Sequence, residues 1–68
     1  METTTLAVRG MTCNGCVTSV TRVLTALGGV DDVAVSLADG RATIRFDPSL
    51  IDVGRLENAI RAAGFETP

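Results

Sequence analysis

The apolar residues of this chain switch between two periods in a fixed order, and that order is compatible with few folds. Leu6 and Val8 alternate with Ala7 and Arg9, which predicts a strand over about Thr3 to Arg9, ended by Gly10. Val17, Val20, Val23, Leu24 and Leu27 then recur at helical spacing, with Thr18, Ser19, Thr21, Arg22 and Thr25 on the opposite face. Gly28 and Gly29 follow as a predicted helix cap and turn. Alternation returns at Val33, Val35 and Leu37 and again at Ala42, Ile44 and Phe46, and Asp39-Gly40 between them signals a hairpin. After the break at Asp47-Pro48-Ser49, a second helical stripe of Leu56, Ala59, Ile60 and Ala63 is predicted. Asp52 is its expected N-cap, Ile51 is placed to staple against Leu56, and Gly64 closes it. Phe65-Glu66-Thr67 is at most a very short final strand.

The order is therefore β-α-β-β-α-β. Two helices on one face of a four-stranded antiparallel sheet make the ferredoxin-like, split βαβ arrangement, so the expected class is α+β. The 68 residues suffice for one domain, 1–68, and not for a second core. The first helix is rich in Val and Thr, which have poor helix propensity, so packing must hold it.

Charge and composition exclude several functions. Net charge is −2, the six cations are scattered arginines, and Phe46 and Phe65 are the only aromatics. A nucleic-acid binder would instead show a basic stripe with interleaved aromatics. No apolar run approaches the roughly 18 residues of a membrane span, so no direct membrane insertion is expected. Met1-Glu2-Thr3-Thr4-Thr5 lacks the basic and apolar regions of a signal peptide, which predicts a cytoplasmic location. The chain has no histidine, no nucleophile with an evident base and no Gly-rich phosphate loop, so it is not expected to be an enzyme.

What remains is one pair of thiols. Cys13 and Cys16 are the only cysteines, in Gly10-Met11-Thr12-Cys13-Asn14-Gly15-Cys16, directly before the first helical stripe. In a reducing cytosol such a pair binds metal or cycles redox state more often than it staples a fold. Cys13 is expected in the loop after the first strand and Cys16 in or near the first helical turn. There the helix's positive end and free N–H groups favour thiolate. Thr12 and Asn14 are placed to bond backbone groups, and Gly15 lets the loop turn tightly. Asn14-Gly15 is also a pair prone to deamidation.

Ligand number selects among metals. Structural zinc requires four Cys or His ligands, and only two are present. Calcium and magnesium require oxygen cages, for which no suitably spaced carboxylates exist. Soft thiolates favour Cu(I). An open dithiolate also leaves room for an incoming cysteine, which suits a carrier better than a store. A thiol–disulfide module is the competing reading, although the thioredoxin type needs a different fold.

Gly-Met-Thr-Cys-x-x-Cys after a first strand, Gly29-Val30-Asp31-Asp32-Val33, and the closing stretch from Ala59 to Phe65 resemble the heavy-metal-associated domain family over essentially the whole chain. That resemblance implies a small cytosolic copper chaperone, with Cu(I) held by Cys13 and Cys16. The implied partner is the metal-binding domain of a copper-transporting P-type ATPase, reached by thiolate exchange. Three alternatives stay open: an excised N-terminal metal-binding domain of such an ATPase, a mercury- or zinc-binding homologue, and a copper-bridged homodimer as the loaded state. The neighbours Met11, Thr12, Asn14 and Gly15 include no carboxylate, which within the family favours copper over zinc. Met11 is expected to pack under the loop. Phe65 stands where relatives often carry a tyrosine or a nearby lysine, and it is expected either to cap the core or to shield the metal.

Overall fold

The computed structural model describes residues 1–67; Pro68 lies outside the described residues. Five elements follow in the order β1 (Glu2–Ala7), α1 (Asn14–Thr25), β2 (Val30–Ser36), β3 (Arg41–Phe46) and α2 (Val53–Ala62). The strands form one antiparallel sheet in the order β1-β3-β2. β3 is central, and its Ala42, Ile44 and Phe46 are all buried while Arg41, Thr43 and Arg45 are exposed, the alternation expected when one face of a sheet is covered. Val20 and Leu24 of α1, Leu56 and Ile60 of α2, and Val8 and Ile51 complete the core against that face.

The predicted fourth strand is corrected. Among the described residues, the final segment contributes one isolated antiparallel bridge, Arg9 to Glu66, and the sheet has three strands rather than four. Its two hydrogen bonds, Arg9 N–H to the Glu66 carbonyl at 2.7 Å and the reverse at 3.1 Å, pair the segment beyond the end of β1. Only three described residues follow Gly64, too few for a ladder of several pairs. The placement still follows the ferredoxin-like scheme, with the closing segment next to β1 and away from β3.

Two further boundaries differ from the sequence reading. Leu37, whose alternation with Val33 and Val35 predicts a place in the second strand, lies beyond the end of β2 in the hairpin turn and is exposed. α1 ends at Thr25 with Ala26 as its C-cap, so the two glycines come after the helix and not at its cap. Gly29 has a different task. Its φ is +97°, and a Cβ there would lie 2.9 Å from Leu50 Cβ and 3.0 Å from Ile51 Cγ2. Only hydrogen fits that corner, where the Gly29 carbonyl also accepts the Asp47 N–H at 2.8 Å.

Directly after Gly29 the pairing slips by one residue: Val30 opposes Phe46, and Asp32 opposes Arg45. Asp31 is the extra residue of a β-bulge. A strict period of two would set Val30 and Val33 on opposite faces. The bulge returns both to the core side, where both pack against the buried cluster. Asp31 is left outside, 3.7 Å from Arg45 Nε, an exposed ion pair that adds little stability.

The α2 start behaves as its sequence predicts, with the Asp52 carboxylate accepting the Arg55 N–H at 2.8 Å. Asp47 organises the preceding turn: its carboxylate accepts from the Ser49 hydroxyl at 2.7 Å and the Ser49 N–H at 3.0 Å. Those bonds, the hydroxyl first, hold the Asp47 pKa below the usual aspartate value. A depressed folded pKa means that its stabilising contribution is present above the unfolded value and is lost as pH falls through the folded one.

Two outcomes are expected. Gly29→Ala should destabilise the fold by about 2 kcal/mol or more, combining left-handed strain with overpacking, as read by chemical denaturation; a change within experimental error would mean the corner can relax. Ser49→Ala should move the Asp47 carboxyl titration, followed by NMR, back toward the ordinary aspartate value.

Candidate metal centre

The thiol pair sits where β1 hands over to α1. Gly10, at φ +95°, turns the chain out of the sheet, and Met11 tucks half-buried against the core. Cys13 is the N-cap of α1, with extended backbone (φ −158°, ψ 170°) and no side-chain capping bond of its own. Its carbonyl accepts the N–H groups of Cys16 at 3.1 Å and Val17 at 3.4 Å, which starts the helix. Cys16 is therefore in the first turn, three positions on and on the same side.

That placement brings the two sulfurs to 3.5 Å from each other. Cys13 is exposed and Cys16 half-exposed, and both are free thiols. Among the described residues, no third His, Cys, Asp or Glu joins them in a cluster able to hold a metal ion. The arrangement is an open pair of soft donors at the protein surface.

Local electrostatics favour the charged form of Cys16. Its pKa is lowered, first by the Thr12 backbone amide and next by the neighbouring Cys13 thiol, against a smaller opposing effect of desolvation. The Thr12 hydroxyl stands 4.0 Å from the Cys16 sulfur and contributes least.

The other residues singled out from the sequence divide into two groups. Thr12 and Gly15 border the sulfurs; a Cβ on Gly15 would lie 3.6 Å from Cys13 Sγ. Asn14 opens α1 and is exposed, and its carbonyl accepts the Thr18 hydroxyl at 3.2 Å. Met11 and Phe65 instead pack against the hydrophobic core. The Phe65 ring lies beside Gly10, with Cδ1 3.7 Å from where a Cβ would stand. It thus supports the start of the loop from the core side.

Sequence reasoning placed Thr18 and Ser19 on a solvated face and missed what they bind. Thr18, Ser19, Thr21 and Thr25 each donate a hydroxyl hydrogen bond to the carbonyl four residues earlier, at 3.2, 3.1, 2.8 and 2.6 Å. The signal was available as a hydroxyl residue four positions after Asn14, Gly15, Val17 and Thr21 in a helical stretch.

With this geometry established, comparison with known proteins defines the class. The heavy-metal-associated domain profile matches residues 5–66, and the chain belongs to that family. It is 45% identical over 65 residues to the human protein "Copper-transporting ATPase 2", covering 96% of this chain and 4% of that protein. Among solved structures, a copper-binding domain from HMA7, a P-type ATPase, superimposes with a TM-score of 0.98 at 37% identity, covering 100% of this chain and 92% of that one. The CopZ metallochaperone superimposes with a TM-score of 0.96 at 28% identity, covering 98% of this chain and 100% of the other. The chain thus spans a small fraction of the full-length ATPase it matches and the whole length of the metallochaperone.

The lowered Cys16 pKa has a direct readout. Alkylation of the reduced protein by iodoacetamide, resolved by peptide mass spectrometry, should show Cys16 reacting with a pH midpoint below that of a free cysteine. A midpoint at the free-cysteine value would mean that the Thr12 amide does not stabilise the thiolate.

Proposed function

We propose that Cys13 and Cys16 together carry one Cu(I) and pass it to a second dithiolate domain by ligand exchange. The carrying observation is the pair of sulfurs 3.5 Å apart at the surface, Cys13 exposed and Cys16 half-exposed, with no third protein donor grouped with them among the described residues. Two soft thiolates suit Cu(I), whereas structural zinc requires four ligands and hard cations require oxygen. The open face admits an incoming thiolate, so the ion can move through a shared, three-coordinate arrangement without entering water. The lowered Cys16 pKa makes its thiolate, the form that binds metal, more readily available.

The relatives named for copper support this cargo, and they supply the chemistry of the partner: the metal-binding domain of a copper-transporting P-type ATPase, met in the cytoplasm. A copper-bridged pair of two copies of this chain uses the same exchange chemistry and is a loaded form of the same site. The second reading makes the chain itself the metal-receiving domain of such an ATPase, and the match to a small part of the human protein favours it. The open reading frame separates the two: a stop codon after Pro68 supports the carrier, and continuation into membrane helices supports the pump domain.

An anaerobic competition titration against a chromogenic Cu(I) chelator tests the cargo. Saturation near one copper per chain, or one per two chains if a bridged dimer forms, should disappear in the Cys13→Ser/Cys16→Ser variant. Failure to take copper from the chelator would move mercury, zinc or a redox role ahead. The metal-free double variant should keep the stability of the parent to within about 0.5 kcal/mol, because neither sulfur belongs to the buried core.

A further inference from the structure

The residues between the two cysteines carry chemistry of their own. We propose that Asn14–Gly15 is a self-modification site of the metal-free protein, where the Gly15 backbone nitrogen displaces ammonia from the Asn14 side chain, and that metal bound across Cys13 and Cys16 suppresses the reaction. The second half rests on the metal-carrying function proposed above. The first half does not.

The reaction needs a backbone nitrogen that is free, unhindered and able to reach the side-chain carbonyl carbon one residue earlier. Gly15 supplies the first two. As the second residue of α1, its N–H belongs to the opening groups that no helical carbonyl can accept, and helical pairing begins only with Cys16 and Val17. It has no side chain to crowd the attack, and both Asn14 and Gly15 are exposed to water. The Asn14 carbonyl accepts the Thr18 hydroxyl at 3.2 Å, which draws electron density from the Asn14–Gly15 peptide and makes its N–H easier to deprotonate.

Helical geometry holds the attacking nitrogen away from the side-chain carbon, so the rate depends on how readily the first turn opens. Several features loosen it. Cys13 makes no side-chain cap bond, no acidic residue lies in the first turn, and Gly15 is a poor helix former. The hydroxyls of Thr18 and Ser19 engage the carbonyls of Asn14 and Gly15, back-bonding that slightly destabilises a helix. A metal ion joined to Cys13 and Cys16 would tie the two ends of this segment together and hold the turn closed.

The balance is complete with water and base. The Gly15 N–H gives up its proton and its nitrogen forms a bond to Asn14 Cγ; the Cγ–amide nitrogen bond breaks, and that nitrogen leaves with a proton as ammonia. Water then opens the cyclic imide at either carbonyl, leaving aspartate or isoaspartate at position 14. No oxidation or reduction takes place. The product adds one negative charge between the two sulfurs, and the isoaspartate form also inserts an extra backbone atom into the first turn of α1.

The test is a timed incubation of the reduced full chain in mildly alkaline buffer, metal-free and Cu(I)-loaded, read by peptide mapping and an isoaspartate assay. The metal-free chain should accumulate acid at position 14, both isomers together, and the loaded chain several-fold less. Gly15→Ala should slow the reaction several-fold; its added Cβ meets Cys13 Sγ only at an ordinary contact of 3.6 Å, and circular dichroism confirms that the variant folds. An intact Asn14 in the metal-free chain, or a Gly15→Ala variant that reacts as fast as the parent, overturns the modification site. Equal rates with and without copper, when the same sample shows bound copper by titration, overturn the protection. If no copper binds at all, the function proposed above falls while the modification stands on its own arm.

Discussion

Burial of one face of β3 is the interaction on which the rest of this structure depends. Ala42, Ile44 and Phe46 are all but sealed from water, and the fully buried residues of both helices, Val20, Leu24, Leu56 and Ile60, lie against them. Burying a large aliphatic or aromatic side chain is worth about 1.5–3 kcal/mol. Helices as short as these, one of them rich in Val and Thr, are marginal alone and form because that face receives them. The central strand is flanked by β1 and β2, so its backbone groups are paired on both edges.

The two ends of this sheet are built differently. At the Phe46 end, Gly29 closes against Leu50 and Ile51, Asp47 caps its own turn, and the β-bulge turns Val30 inward. That end leaves little freedom. At the other end, β1 runs out through Gly10 into a short exposed segment that carries both sulfurs and begins a helix with no side-chain cap. The core fixes where this segment starts, through Met11 and Phe65, and where it ends, through Val20. Between those points the thiols remain near the surface. This division fits the proposed exchange of a metal with another protein, because the donors lie outside the buried core and stay accessible.

Much of this was legible in the residues. The inward alternation of β3, the buried stripes of both helices and the Asp52 cap follow from local periodicity and capping chemistry, and those are properties of short stretches. The differences in the sheet depend on pairing between distant segments, whereas the end of α1 and the hydroxyl bonds along it are local. Val30 escaped because a bulge reverses the side-chain alternation, and nothing local to Val30-Asp31-Asp32-Val33 announces it. Leu37 was assigned to a strand that ends before it because the hairpin register, not hydrophobicity, decides where β2 stops. Among the described residues the closing segment makes a single bridge, at Arg9 beyond the end of β1, and its own residues do not show where that pairing falls.

The sequence by itself determined which atoms can do chemistry: two thiols, Cys13 and Cys16, three positions apart before a helix, in a chain with no histidine. It also determined the order of elements, because hydrophobic period is a local property of the chain. Only the tertiary structure decided that the sulfurs lie 3.5 Å apart and near the surface, that the Thr12 amide favours the Cys16 thiolate, and that Phe65 supports the loop from the core. Those facts depend on how the end of β1, the start of α1 and the residues after Gly64 converge, and convergence is set by packing against β3. Spacing identifies candidate ligands; the distance between them and their exposure to water come from the fold.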